Sequence, residues 1–283
     1  MTEAFLGAMA DASRARVRTA RLRCPDAELE QRARRAPAPP ALRLDRSGFD
    51  LIAELKLRSP AAGALVVGGA DEADGAEVVG RVSAYAQAGA AAVSVLTEPS
   101  RFDGALEHLA LAAAALMPLA VPAMRKDFIV DPYQVLEARA LGAGGVLVIL
   151  RMLAREELEA LLECARSHGL FVLLEAFDAA DIDLMHQLLA AHRGPNLLLA
   201  GLNCRDLETL QVVPGRLLEL APLLPTAVPR VAESGVAGPE DAARVAAAGY
   251  QLALVGSALM RRGDSTALAA ALLVAGRSAR GAR

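Results

Sequence analysis

Only two lysines, Lys56 and Lys126, occur in a chain of 283 residues whose other basic residues are all arginines. A lysine can give up a proton near working pH and an arginine cannot, so two lysines among so many arginines suggest proton transfer. Lys56 stands two residues after Glu54, and on a strand residues i and i+2 share a face. A carboxylate beside an ammonium keeps it charged and oriented, as a general acid or phosphate ligand requires. An ordinary ion pair at a strand end is the competing reading. Lys126 precedes Asp127 and Phe128, where it suits a general acid, a Schiff-base nucleophile or a carboxylate anchor. Glu175 ends the apolar run Phe171–Leu174, and partial burial there would raise its pKa and suit it to act as a base.

Further polar residues follow other apolar runs. Asn203, Cys204 and Arg205 follow one, Glu233, Ser234 and Gly235 another, and Gly256 with Ser257 a third. Small residues let backbone N–H groups approach an anion, so the two Gly/Ser pairs together read as a phosphate signal. No GxGxxG or GxxxxGK[ST] is present. His108, His168, His186 and His192 fall in helical stretches, and the three cysteines form no CxxC pair. No metal ligand set and no organic cofactor are expected.

The elements that must position these residues follow a simple rhythm. Short apolar runs span Asp50–Lys56, Ala91–Thr97, Ala120–Lys126, Gly145–Leu150, Leu170–Glu175, Leu197–Asn203, Pro229–Glu233 and Gln251–Gly256. They alternate with Ala/Leu/Glu/Arg stretches of helical composition. Runs that are apolar throughout fit parallel strands covered on both faces. Eight βα units predict a single (β/α)8 barrel of class α/β. Its active site belongs at the C-terminal strand ends, where the polar residues collect, with phosphate after strands seven and eight.

Residues 1–48 read as an N-terminal helical extension packed on the barrel, with Asp11 or Ser13 as a helix cap and Pro37, Pro39 and Pro40 ending the helix. Residues 49–270 form the barrel, and 271–283 are expected to be a frayed tail. Apolar residues make up 54% and charged residues 22%, which excludes general disorder, and a net charge of −3 gives no basic excess for nucleic acid or an anionic membrane. The longest uncharged apolar stretch, Leu109–Met124, is interrupted by Pro118 and Pro122 and is shorter than the ~20 residues of a membrane span. Glu3 and Asp11 argue against a targeting peptide. A cytoplasmic protein is expected, monomeric or at most a weak homodimer, with a phosphorylated small molecule as its partner.

The stretches IAELKLRSP (52–60), VSVLTEPSRFDGALEHL (93–109), MRKDFIVDPYQVLEARALGA (124–143), LLEAFD (173–178), GLNCRDLETLQV (201–212), VAESGV (231–236) and ALVGSALMR (253–261), taken together, resemble the indole-3-glycerol-phosphate synthase family. The resemblance covers nearly the whole chain and implies a monofunctional enzyme of tryptophan synthesis. Its substrate would be 1-(2-carboxyphenylamino)-1-deoxyribulose 5-phosphate, and its products indole-3-glycerol phosphate, carbon dioxide and water, with no cofactor.

By that resemblance Lys126 is the main general acid, Lys56 the second lysine and Glu175 the proton-relaying carboxylate, while Glu54 and Asn203 orient lysine and substrate. Ser59, Gly235, Gly256 and Ser257 fall on the phosphate side. Arg205, Glu233 and Ser234 complete the polar wall, and Phe128 serves the aromatic ring. Two departures stand out: Ala61 and Ala62 replace a serine and a lysine after the first strand, and Gly145 replaces an aspartate. The alternatives are another sugar-phosphate barrel enzyme (a Schiff-base aldolase or a phosphoribosyl isomerase) and a non-catalytic phosphate-binding barrel.

Overall fold

The structure is a computed structural model that describes residues 2–45, 48–59, 63–64, 75–192, 198–206, 209, 211–213, 215–261 and 264–281, without the side chains of 2–4, 59, 63 and 64. Eight strands form the barrel: β1 (Asp50–Leu55), β2 (Ala92–Leu96), β3 (Ala123–Lys126), β4 (Gly145–Ile149), β5 (Phe171–Ala176), β6 (Leu198–Asn203), β7 (Arg230–Glu233) and β8 (Leu252–Val255). Each pairs in parallel with its sequence neighbours, and β8 pairs with β1 to close the ring. This is the expected (β/α)8 architecture. The eight apolar runs became the eight strands, with ends differing by three residues at most. That largest difference lies at Ala120 (φ 55°), which caps a 3-10 turn before β3 begins.

The strands are buried on both faces, as their unbroken apolar runs require. Alternate residues divide between two layers. Leu51, Ala53, Val93, Val95, Val146, Val148, Val172 and Leu174 pack outward against the helices. Ile52, Ala92, Met124, Leu147, Phe171, Leu173, Leu199, Val231, Leu252 and Leu254 fill the barrel interior. Because Ile52 is an inward residue, Glu54 and Lys56 continue that inward row.

Two helices, α1 (Thr2–Arg23) and α2 (Asp26–Arg35), precede the barrel. The others longer than one turn are α3 (Gly75–Gln87), α4 (Leu106–Leu116), α5 (Pro132–Ala140), α6 (Arg155–Ser167), α7 (Ala179–Ala191), α8 (Arg216–Leu220), α9 (Pro239–Ala247) and α10 (Ser265–Gly281). Asp131 caps α5 by accepting from the Tyr133 amide at 2.9 Å, with Pro132 at the first helical position. Asp178 caps α7 by accepting from the Asp181 amide. Among the described residues no helix is long and apolar enough to cross a membrane.

The N-terminal segment packs on the barrel through Val17, Leu29, Ala33, Tyr133 and Leu136. Arg21 adds ion pairs to Asp26 and Asp131 and lies over the Tyr133 ring. Asp11 and Ser13 do not cap a helix, because α1 begins at Thr2 and carries both in its interior. The buried Ser13 hydroxyl instead donates to the Phe128 carbonyl at 2.5 Å. The 271–283 tail is corrected too: through residue 281 it continues α10, with Leu272, Leu273 and Gly276 buried. Alanine and leucine favour helix there, and the apolar face binds the tail to the barrel.

Candidate active site

A cavity of about 410 Å³ opens at the C-terminal ends of the strands. Lys56, Lys126, Glu54, Glu175, Asn203, Arg205, Glu233, Ser234, Gly235, Gly256, Ser257 and Phe128 all line it. Ser59 was nominated from sequence as well. It belongs to the short strand Arg58–Ser59, antiparallel to Gly63–Ala64; its side chain, and Ala61 and Ala62, lie outside the described residues.

The polar centre is a ring of lysines and carboxyls. Lys56 Nζ donates to Glu54 Oε1 at 2.7 Å. Lys126 Nζ lies 3.6 Å from Glu175 Oε1 and 3.9 Å from Glu233 Oε2. Asn203 Nδ2 donates to Glu175 Oε1 at 2.6 Å, and Asn203 Oδ1 accepts the Arg205 amide at 2.9 Å. Asn203 thus ties one carboxyl to the backbone of the next loop. Glu54, Glu175 and Glu233 are all buried.

Burial alone would lower the Lys126 pKa, but the carboxyls of Glu175, Glu233 and Glu54 outweigh it and raise it above the usual lysine value. Lys126 is therefore held as an ammonium. Glu54 is also buried, yet the cations of Lys56, Lys126 and Arg205 bring its pKa below the ordinary glutamate value. Glu233 goes the other way. Burial and the neighbouring Glu175 push it well above the ordinary value, although Lys126 opposes the shift. Like charges this close resist ionising together, so Glu233 holds a proton more tightly than a free glutamate does.

Two glycines make room for these carboxyls. A Cβ on Gly201, inside β6, would meet Glu233 Oε1 at 2.2 Å, and one on Gly256 would meet Glu54 Oε1 at 2.1 Å. The anion side has a different character. Ser234 and Gly235 follow β7 with consecutive positive φ values of 65° and 71°, a conformation rare for serine. Gly256 precedes the one-turn helix Ser257–Met260 after β8. Both segments, which follow neighbouring strands, line the cavity with Arg261.

The cavity also has an apolar lining: Phe5 and Leu6 of α1, Phe102, Phe128, Leu147, Ile149, Phe177 and Leu254. The Phe5 and Phe128 rings meet edge to face at 6.1 Å. Behind Phe128, Asp127 is buried and accepts from Thr97, Arg125, Arg16 and the Phe128 amide. Arg125 and Arg16 bring Asp127 below its usual carboxylate range in spite of its burial. The arrangement gathers cations, proton-holding carboxyls, aromatic rings and small-residue loops around one cavity.

A family model described as indole-3-glycerol phosphate synthase matches residues 6–272. The chain belongs to the indole-3-glycerol phosphate synthase family. Among relatives of that name, the protein of Parafrankia sp. (strain EAN1pec) is 44% identical over 254 residues, covering 88% of each chain. That of Mycolicibacterium vanbaalenii is 43% identical over 253 residues, covering 88% of this chain and 86% of the other. Two solved structures share the barrel alone, each with a TM-score of 0.57 and 14% identity. One is a thiamine phosphate pyrophosphorylase from Pyrococcus furiosus, covering 83% of this chain and 98% of its own. The other is an N-acetylneuraminic acid synthetase from Leptospira borgpetersenii, covering 83% and 84%.

Several wall residues of this indole-3-glycerol phosphate synthase family member went unnominated from sequence. Phe177 lies two residues beyond Glu175, and Leu147 and Ile149 share the inward row of β4, so the period of two would have found all three. In sequence Phe5 and Leu6, with Met9, Val17 and Leu22, show only the apolar pattern of a helix. Nothing in that pattern says that α1 reaches the barrel mouth.

Proposed function

We propose that this enzyme converts 1-(2-carboxyphenylamino)-1-deoxyribulose 5-phosphate to indole-3-glycerol phosphate, carbon dioxide and water. Membership of the family supports the reaction class. The observation that carries the finer reading is Lys126, held as an ammonium among Glu175, Glu233 and Glu54 at the edge of an aromatic wall.

Ring closure joins an aryl carbon to the sugar carbonyl carbon, and the carbonyl oxygen gains negative charge. The Lys126 ammonium stabilises that oxygen and gives it a proton. Loss of the carboxylate as carbon dioxide returns its electron pair to the ring. Dehydration then needs an acid at the leaving hydroxyl, where Lys56 is suited, and a base for the departing proton, where Glu175 is suited. Glu54 orients Lys56 and Asn203 orients Glu175, each through the hydrogen bond described above. The phosphate takes the end bounded by Ser234, Gly235, Gly256 and Ser257, with Arg205 nearby. The aryl ring takes the wall around Phe128.

A charged Lys126 also weighs against the Schiff-base alternative, because an amine must be neutral to attack a carbonyl. The test is growth of indole fluorescence when the purified protein meets the carboxyphenylamino substrate. The chain has no tryptophan, so background is low. Product formation with no borohydride-trapped adduct is expected. A trapped lysine adduct, or substrate bound without product, would overturn this reading.

A further inference from the structure

The C-terminal end of β5 is held by charged groups outside the lysine–carboxyl ring. Arg151 follows β4. Its Nε donates to Asp181 Oδ2 at 2.8 Å, and its guanidinium also pairs with Asp178. The same Asp181 oxygen accepts the Phe177 backbone N–H at 2.8 Å. The Arg151 guanidinium also lies 5.0 Å over the Phe177 ring. One side chain thus grips Phe177 twice: at its amide through Asp181, and at its ring through a cation–π contact.

Phe177 is two residues beyond Glu175, and its ring lines the cavity. Asp181 is buried, its side chain 7% exposed, whereas Asp178 is 54% exposed. A buried carboxylate with a forked arginine fixes geometry more surely than it adds stability. Glu175 must meet both Asn203 at 2.6 Å and Lys126 at 3.6 Å, so the direction in which β5 ends decides its reach.

We propose that Arg151 is a positioning residue for the reaction. It fixes the end of β5, and through it the aim of the Glu175 carboxylate and the face that Phe177 presents to the substrate ring. This rests on the function proposed above.

The test compares kcat and KM of wild type, Arg151→Met, Arg151→Lys and Arg155→Met on the carboxyphenylamino substrate. Circular dichroism confirms folding at the assay temperature. Misplacing a reacting group by a fraction of an ångström costs rate more than binding, so Arg151→Met is expected to lose about tenfold or more in kcat, with KM within about threefold. A lysine can pair with one carboxylate but cannot fork or stack, so Arg151→Lys should recover only part of the loss. Arg155, exposed at the start of α6 and bonded to Glu159 and to Gln187 of α7, serves as control and should match wild type. A fall in stability alone would leave both constants of the folded enzyme unchanged. A folded Arg151→Met within twofold of wild-type kcat overturns the proposal. If that variant does not fold, wild-type kcat in Arg151→Lys overturns it. A wild type that makes no product refutes the proposed function, and this inference falls with it.

Discussion

Gly201→Ala tests whether the carboxyl ring is packed as tightly as the geometry says. The new methyl would sit 2.2 Å from Glu233 Oε1, 2.9 Å from Leu173 Cδ1 and 3.1 Å from the Leu174 carbonyl oxygen, where ordinary contact begins near 3.4 Å. The Glu233 carboxyl would have to retreat by about 1.2 Å. It is 1% exposed and lines the cavity beside Lys126 and Glu175, so its retreat displaces it within the carboxyl ring. Overpacking of this kind costs about 1–3 kcal/mol. In a chain of this size each kcal/mol moves the melting temperature by about 2–4 °C, so a fall of between about 2 and 12 °C is expected. Turnover should fall as well, because Lys126 loses one of its carboxyl neighbours.

The double variant Gly201→Ala/Glu233→Ala removes the atom in the way. The methyl should then cost at least about 1 kcal/mol less than it does in wild type. Thermal melts followed by circular dichroism read all four corners of the cycle. A single variant melting within about 1 °C of wild type, or the same loss in both backgrounds, would refute the packing argument.

Glu233 gives a pH signature. Its folded pKa is raised, so the folded state binds the proton more tightly than the unfolded chain, and ionisation opposes folding. From the ordinary glutamate value of about 4.3 upward, wild type should lose stability relative to Glu233→Gln, until pH passes the raised value. Melting-temperature differences that stay flat with pH would contradict this. Phe5→Ala removes the edge-to-face partner of Phe128. An aromatic pair contributes about 0.5–1.5 kcal/mol, so KM should rise roughly 2- to 10-fold with kcat little changed. An unchanged KM would remove α1 from the binding wall.

The barrel was legible because parallel strands buried on both faces leave unbroken apolar runs, and polar residues at the ends of such runs stand out. Glu54, Lys56, Lys126, Glu175, Asn203 and Glu233 were all found in that way. Their partners across the barrel were not, since the contact of Lys126 with Glu175 and Glu233 depends on ring closure between strands distant in sequence. Ser13 looked like a cap because serine favours helix starts. Its role as a donor to the Phe128 carbonyl appears only when α1 is laid across β3. Arg151 was equally hidden. Its run ended mostly apolar, and its value lies in Asp178, Asp181 and Phe177 from the next βα unit. The glycines at 201 and 256 gave no sign in sequence that they clear space for two carboxyls.

The central claim is that the Lys126 ammonium supplies the proton at ring closure. The most direct measurement is the turnover of Lys126→Ala against wild type, with folding confirmed by circular dichroism. Loss of a general acid costs about 10²- to 10⁴-fold, and at least the lower figure is predicted, with the phosphate end still binding product. A folded Lys126→Ala enzyme within tenfold of the wild-type rate would contradict the account.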